Sequence, residues 1–377
     1  MKTTSTWFQR IVLPGFAFKA VVIGGGYATG RELATYFLPS GPWGGLWGML
    51  LAMAVWSLVC TVTFLFALQT QSTDYRAFFR NLLGRGWPIF EVLYFLAMIV
   101  ILAVFAAAAG AIGQSLLGWP PLAGSLVLMA GIALVATWGN EAVERLFKYV
   151  TVFLYGTYAV FVLLAMSRFG DRMLGAFALH PPTTGWAMGG LTYAGYNIIG
   201  AVAILPVTRH MIGRRDAIAA GLLAGPLAMI PAILFFLCMV AYYPEISGQT
   251  LPSDFLLQRL DLPAFRVVFQ LMIFAALLES GTGGVHAINE RIAHAYQARG
   301  DRTFSKLARL AVTLVVLTGS VFVADRFGLV ELIASGYTWL SYAFLAIFVL
   351  PLLTYGVVLL LRRRHDPIIA QTSPEAA

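Results

Sequence analysis

Long apolar stretches, separated by short polar segments, follow one another along the whole chain. Stretches of roughly 20 residues are long enough to cross the hydrocarbon core of a bilayer as helices. Ten such stretches, numbered here spans 1 to 10, cover residues 11–38, 43–69, 88–117, 122–138, 147–167, 186–208, 217–241, 265–290, 309–325 and 329–361. The pattern predicts an all-α polytopic membrane protein with about ten transmembrane helices.

Composition and charge agree with this prediction and add an orientation. The chain is 59% apolar and only 11% charged, whereas soluble domains carry about a quarter charged residues. Its net charge of +8 comes from Lys and Arg in the segments between the spans. Most of them fall on the side of the two termini, which the positive-inside rule assigns to the cytoplasm. We therefore expect a bacterial-type inner-membrane protein, in contact with lipid and with both ends cytoplasmic, and no nucleic-acid partner.

Spans 1 and 6 contain glycines where a regular helix is expected. Gly24, Gly25, Gly26 and Gly30 lie in span 1, and residues 189–200 of span 6 mix glycine with polar side chains. Glycine weakens a helix, and unwound backbone in a membrane is tolerated only where protein or a cavity satisfies it. Both helices are therefore predicted to be interrupted. The alternative is that these glycines only allow close helix packing.

The two interrupted spans are five spans apart. Because five is odd, a second set of five helices would run inverted relative to the first. Residues 11–167 are the predicted first repeat, residues 186–361 the second, and residues 362–377 a cytoplasmic tail. Interrupted helices at matching places in two inverted halves are typical of secondary transporters. The pattern thus predicts a secondary active transporter for a small solute, coupled to protons or sodium.

The stretch Gly24-Gly25-Gly26-Tyr27-Ala28-Thr29-Gly30-Arg31-Glu32 resembles a motif of the YkvI-like membrane proteins. These are members of the amino acid–polyamine–organocation superfamily, which has the LeuT fold. The resemblance implies a 5+5 inverted repeat, a central site between helices 1, 3, 6 and 8, and an amino acid or similar metabolite as solute. This chain has Gly25 where the motif commonly has Ala, and Lys19 where a small residue is expected.

Candidate substrate contacts lie in the two interrupted spans, where freed backbone groups and polar side chains coincide. They are Gly24, Gly25, Gly26, Tyr27, Thr29, Tyr193, Gly195, Tyr196 and Asn197. Asn197 is the sharpest candidate, because an amide at mid-depth needs hydrogen-bond partners. Its alternative role is a helix–helix hydrogen bond.

Lys19 and Glu279 are candidate ion-coupling residues. Both lie roughly 13–16 Å from the cytoplasmic ends of their spans at 1.5 Å per residue, and a charge at that depth usually has a partner. In the LeuT fold, helices 1 and 8 form a sodium site, for which Ser280 and Thr282 could supply oxygen ligands. The hypothesis is that the Lys19 ammonium takes the place of this ion and pairs with Glu279. Snorkelling of Lys19 or a purely structural pair are the alternatives.

Arg31 and Glu331 lie near the outer ends of spans 1 and 10. An ion pair between them could close the outer side of the site as a gate. The alternative is a static surface pair that contributes little.

A membrane-embedded enzyme or a sensor is the competing class of function. An enzyme needs a nucleophile with its base, a metal cluster or paired carboxylates, and the sequence shows none of these patterns. Cys60 and Cys238 lie in apolar spans, as free buried thiols do. No enzyme activity, metal or organic cofactor is predicted beyond a coupling ion, H⁺ or Na⁺. The oligomeric state stays open.

Overall fold

Span 1 is broken into three short helices in the computed structural model, which describes residues 5–138, 141–297 and 304–362. A turn of π-helix, Phe8–Val12, leads into the span. The helices are α1 (Leu13–Val22), α2 (Gly25–Ala28) and α3 (Arg31–Tyr36). The predicted interruption of span 1 is confirmed.

Spans 2 to 5 are continuous helices, with one additional helix between spans 2 and 3. In chain order they are α4 (Gly41–Thr70), the additional α5 (Tyr75–Leu83), α6 (Trp87–Leu117), α7 (Pro121–Trp138) and α8 (Glu141–Ala178). Helix α5 is too short and too polar to span. It begins at Asp74, whose carboxylate accepts the N–H groups of Arg76 and Ala77, as a helix N-cap does.

The second half repeats the pattern of one broken helix followed by long ones. Its helices are α9 (Trp186–Asn197), α10 (Ile199–Ala203), α11 (Arg214–Val240), α12 (Pro252–Leu260), α13 (Pro263–Gln297), α14 (Lys306–Glu331), α15 (Thr338–Phe344) and α16 (Val357–Arg362). Turns of π-helix separate the pieces of span 10. Helix α12 is not a span and lies in the connection between spans 7 and 8.

Six helices in the described residues are long and apolar enough to cross a membrane, by length and composition alone. The ten predicted spans exceed this number for physical reasons. Spans 1 and 6 are divided into pieces, span 4 is only a short apolar helix at Pro121–Thr137, and spans 9 and 10 run together as Lys306–Arg362. The described helices are consistent with ten spans in a multi-pass membrane protein.

Small residues allow the helices around the broken spans to approach closely. On α11, Gly221 and Gly225 face the α4 backbone at Thr61 and Met53, where a Cβ would collide. Gly190 of α9 faces the carbonyl of Gly48 in the same way. A lipid-embedded bundle is held by such contacts because burial from lipid gives little hydrophobic gain.

The two ends of the helix bundle carry different segments and are named here by them. We call the end with Arg10, α5 and the start of α11 the N-terminal face. There Arg10 makes a two-pronged ion pair with Asp216, at 2.7 and 2.8 Å. We call the end that carries Glu245–Gly248 and α12 the Asp254 face.

Candidate functional site

A cavity of about 310 Å³ lies at the breaks of spans 1 and 6, in the centre of the bundle. Its walls come from spans 1, 3, 6, 8 and 10. The lining residues are Ala20, Val21, Val22, Gly24, Glu32, Tyr94, Met98, Ile101, Leu102, Phe105, Tyr196, Asn197, Ile199, Ala203, Ser280, Gly283, Gly284, Ala287 and Tyr337. The expected central site between helices 1, 3, 6 and 8 therefore coincides with a cavity, to which span 10 adds a further wall.

The first break of span 1 lies at Ile23 and Gly24. Ile23 leaves the helical region, with ψ at 76°, and Gly24 lines the cavity before α2 begins at Gly25. A second break follows at Gly30, whose φ of 77° is in the left-handed region. A side chain there would be strained and would also meet the ring of Phe235. This run of glycines therefore serves two separate bends of the chain.

Span 6 is divided at Ile198, between α9 and α10, and not at a glycine. Ile198 keeps helical dihedral angles, with φ at −63° and ψ at −19°, so this break is slighter than those of span 1. The glycines upstream of it have packing roles. Gly189 faces the carbonyl of Tyr36, and Gly195 faces the side chain of Ser341. Gly195, a predicted substrate contact, therefore packs against span 10 and is not among the residues that line the cavity.

The predicted substrate residues divide into two groups in the structure. Gly24, Tyr196 and Asn197 line the cavity, and Gly25 and Gly26 open α2 beside it. Three others are buried elsewhere: Tyr27 lines a smaller neighbouring pocket with Tyr155, Thr29 accepts the N–H of Ser253 through its carbonyl oxygen, and Tyr193 packs edge-on against Phe37. Side-chain direction, which sequence position does not give, separates the two groups.

The expected ion pair between Lys19 and Glu279 is not formed. The Lys19 ammonium lies 4.1 Å from the centre of the Tyr155 ring, a cation–π contact. Within the described part of the chain, Lys19 has no ion-pair partner within 4 Å. Similar depth along two helices, estimated from sequence spacing, does not by itself bring two charges into contact. Of the other two residues, Ser280 lines the cavity, and Thr282 donates to the carbonyl of Leu278 in its own helix.

The expected Arg31–Glu331 gate is also absent as an ion pair. The Arg31 guanidinium donates to the carbonyl oxygens of Ser247 and Gln249, at 3.0 and 2.7 Å. Glu331 accepts from Ser335, one turn further along its own chain. Arg31 is thus tied to the connection between spans 7 and 8, a partner that charge pairing along the sequence could not indicate.

Glu32 is a site residue that sequence reasoning missed. Its side chain lines the cavity although the residue is only 4% exposed. Its Oε2 accepts a hydrogen bond of 2.5 Å from the Tyr196 hydroxyl, and the Tyr196 ring stacks on Tyr337 at 4.4 Å. A carboxylate inside a predicted membrane span was the available signal, because such residues are usually functional.

The cavity is closed towards the Asp254 face. Besides the Arg31 bonds, the Ser253 N–H donates to the Thr29 carbonyl at 3.0 Å, and the Tyr36 hydroxyl donates to the Ile333 carbonyl at 2.6 Å. Towards the N-terminal face the lining is mostly small or apolar, with Tyr94 as a polar exception, and Val21 is 43% exposed. The cavity therefore has one closed end and one open end.

Asp254 organises the closed face. Its carboxylate accepts from the side chains of Arg266, Ser115, Gln258 and Gln270, all at 2.6–2.9 Å. Burial alone would raise the pKa of Asp254, but these hydrogen bonds outweigh it and lower the pKa below its usual value. Asp254 is therefore a charged anchor that joins α12 to α6 and α13.

No family model matches the chain. Its sequence is 22% identical to the uncharacterised membrane protein YkvI of Bacillus subtilis (strain 168) over 346 residues, which are 88% of this chain and 92% of the relative. The resemblance to YkvI-like membrane proteins, first seen in span 1, is thereby confirmed over most of the chain.

Solved structures share the fold at low sequence identity. MhsT in complex with L-phenylalanine superposes with a TM-score of 0.58 and 16% identity, covering 95% of this chain and 98% of MhsT. A Na⁺-coupled sialic acid symporter gives 0.65 and 14%, over 94% and 82%. Mhp1 in an inward-facing conformation gives 0.63 and 15%, over 94% and 77%. The chain is a multi-pass membrane protein with the LeuT fold.

Proposed function

We propose that this protein is a secondary active transporter that moves a small organic solute across the membrane by alternating access. The observation that carries the proposal is the central cavity at the breaks of spans 1 and 6, closed at one end and open at the other. Binding sites of this kind of transporter lie near the bilayer midplane, at interrupted helices. The fold neighbours, which include a Na⁺-coupled symporter, support the same function.

Pairs of contacts support the proposed inverted repeat of residues 11–167 and 186–361. Helix α1 of span 1 packs against α11 of span 7, and α9 of span 6 packs against α4 of span 2. Span 6 corresponds to span 1 in the second repeat, and span 7 corresponds to span 2. The two contacts are therefore equivalent in an inverted repeat. Helix α6 of span 3 packs against α14 of span 9, as α13 of span 8 packs against α7 of span 4.

In the proposed orientation the N-terminal face lies in the cytoplasm, as the basic residues between the spans require. The described conformation then opens inward. The contacts of Arg31, Thr29 and Tyr36 close the outer side, and transport requires that they break while the inner side closes. The breaks at Gly24, Gly30 and Ile198 are the places where the backbone can bend.

The proposed coupling ion is H⁺ or Na⁺. Lys19 and Glu279 remain candidates for coupling, since both are charged groups inside spans and neither has an ion-pair partner within 4 Å among the described residues. In the proposed role each acts separately, because no direct pair joins them.

Uptake into proteoliposomes tests the function. Purified protein is reconstituted and offered a panel of labelled amino acids and amines under an imposed sodium or proton gradient. We expect gradient-driven accumulation of at least one solute. Accumulation that needs sodium assigns Na⁺ as the coupling ion, whereas accumulation driven by a pH gradient without sodium assigns H⁺.

A matched pair of variants tests whether the cavity is the route. Gly283 lines the cavity and Gly319 lies on the exposed side of α14, and neither has an atom within 4 Å of an added Cβ. Gly283→Trp places an indole into the cavity and should abolish uptake, whereas Gly319→Trp should preserve it. Equal uptake by the two variants, or no gradient-driven uptake of any solute by the unaltered protein, would contradict the proposal.

A further inference from the structure

Among the described residues, the cavity lining carries a single charged side chain, and that charge is negative. Glu32 is the only Asp or Glu among the lining residues, and no Lys, Arg or His lines the cavity in the described part of the chain. The other polar groups there are the hydroxyls of Tyr94, Tyr196, Ser280 and Tyr337 and the amide of Asn197. Electrostatically the site therefore favours a cation over an anion or a neutral solute.

Glu32 has fewer partners than a buried carboxylate requires. An ionised carboxylate offers about four acceptor positions, and the described residues supply one donor, the Tyr196 hydroxyl. Arg31, its neighbour in sequence, is turned away and donates to Ser247, Gln249 and Thr35. Buried charges are normally paired, so the side chains of the described residues leave this pairing incomplete.

A second acceptor lines the same cavity. The Asn197 Nδ2 donates to the carbonyl of Tyr193 at 3.1 Å in its own helix. Its Oδ1 accepts no hydrogen bond from the described residues, so it offers an acceptor to the cavity. A carboxylate and an amide oxygen together match a group that carries several N–H donors and a positive charge.

The residues that line the cavity favour an organic cation over a divalent metal ion. Mg²⁺ and Ca²⁺ require six or more oxygen ligands, and no cluster of three or more His, Cys, Asp or Glu is present in the described ranges. The lining is mostly aliphatic and aromatic, with Met98, Leu102 and Phe105 among its members. The stacked rings of Tyr196 and Tyr337 add aromatic surface beside Glu32, and such surface attracts organic ammonium groups.

We propose that the solute is a small primary amine with an apolar body, whose ammonium group pairs with the Glu32 carboxylate at the closed end of the cavity. This inference rests on the proposed transport function and narrows its substrate class. The apolar body then points towards the N-terminal face, along the aliphatic part of the lining. Among the described residues no cationic side chain lines the cavity to pair with a carboxylate on the solute, so simple amines should bind more tightly than amino acids of the same body.

Direct binding to the purified full-length protein in detergent tests this inference separately from transport. The probes are three amines (butylamine, isoamylamine and phenethylamine), the amino acid leucine, and the carboxylate isovalerate, which shares the body of isoamylamine. Calorimetry or ligand-induced thermal stabilisation gives the affinities. We expect at least one amine to bind more tightly than leucine, and isovalerate not to bind.

Variants at Glu32 complete the test. Glu32→Gln keeps the shape of the side chain and removes its charge, and it should weaken amine binding by about 30-fold or more, as loss of one partner of a buried charged hydrogen bond does. Glu32→Asp keeps the charge and should retain part of the affinity. Glu245→Gln removes a carboxylate from the exposed pair with Arg259 and should leave the affinity unchanged.

The outcomes separate the two proposals. Binding of isovalerate as tight as that of isoamylamine, undiminished amine binding by Glu32→Gln, or no binding of any of the three amines would overturn the inference. Gradient-driven uptake of other solutes would leave the transport function standing in each of these cases. Amine binding that depends on Glu32 but never leads to uptake would support the site and overturn the transport function.

Discussion

Two buried carboxylates, Glu32 and Asp254, lie in contrasting surroundings. Each residue is 4% exposed. Asp254 accepts hydrogen bonds from four side chains, two of them from the charged Arg266 to both oxygens. From the described residues, Glu32 accepts one hydrogen bond, from the neutral hydroxyl of Tyr196. Equal burial therefore accompanies very different degrees of electrostatic compensation.

The difference separates a structural role from a functional one. A buried charge with a complete set of donors fixes the elements that supply them, and Asp254 joins α12 to α6 and α13 in this way. A buried charge with an incomplete set costs stability and persists where function requires it. Burial alone does not distinguish these two carboxylates, but the number and charge of their partners among the described residues do.

The largest expected effect on stability follows removal of the Asp254 charge. Asp254→Asn places an NH₂ group against the donors of Arg266 and the two glutamines, which should lower the free energy of unfolding by about 2–4 kcal/mol. Thermal unfolding in detergent measures this loss of stability. Asp261→Asn, at an exposed position with φ of 54° that Asn tolerates, is the matched control and should change little. An unchanged unfolding midpoint for Asp254→Asn would show that the Asp254 charge does not stabilise the fold.

A smaller effect on stability is expected at Arg31, to which we assign a structural role although it adjoins Glu32 in sequence. Arg31→Gln removes charge-assisted hydrogen bonds to Ser247 and Gln249, which should cost about 1–2 kcal/mol and loosen the closed end. A cysteine at the fully buried position of Thr29 reports this loosening through faster alkylation from the Asp254 face. Arg259→Gln, which breaks an exposed pair, should leave the labelling rate unchanged. Equal rates in both variants would show that Arg31 does not hold this end closed.

Glu32→Gln should behave in the opposite way to Asp254→Asn. Removing an incompletely paired buried charge relieves its desolvation, so stability should stay within about 1 kcal/mol of the unaltered protein or rise. The same unfolding assay measures both variants, and the comparison needs no knowledge of the solute. A loss at Glu32→Gln as large as that at Asp254→Asn would mean that Glu32 is structurally paired, and the contrast between the two residues would disappear.

The smallest expected effect is a change in how the stability of the protein depends on pH under acidic conditions. Because the pKa of Asp254 is lowered in the folded protein, the unfolded chain takes up a proton at this residue first as the pH falls. The contribution of Asp254 to stability is therefore complete above the ordinary Asp pKa of about 4. It declines as the pH falls further, through the lowered pKa of the folded state. Asp254→Asn should make unfolding less sensitive to pH in this acidic range, and parallel pH profiles of the two proteins would contradict the assignment.

Most of the fold was predictable, but only a small part of the candidate site. The apolar spans, the interruptions of spans 1 and 6, and the cavity residues Gly24, Tyr196, Asn197 and Ser280 followed from spacing, glycine content and a family resemblance. The pairings of Lys19 with Glu279 and of Arg31 with Glu331 did not hold. Sequence spacing gives depth along a helix axis, but not the rotation of one helix against another.

Glu32 also shows what sequence spacing cannot predict. Its place in span 1 was plain, yet its importance depends on Tyr196, which is 164 residues away in sequence and 2.5 Å away in space. The partners of Asp254 likewise come from three separate helices. No pattern within one span contains such information.

The sequence by itself determined which segments lie in the membrane, because lipid cannot satisfy backbone or charge and so imposes length and apolarity on every span. It also determined where span 1 bends, since its glycine-rich stretch cannot hold a regular helix there. Only the tertiary structure decided which buried charge is fully compensated and which faces a cavity. That outcome depends on how the helices rotate and pack against each other, a balance of many small contacts that no single stretch of sequence records.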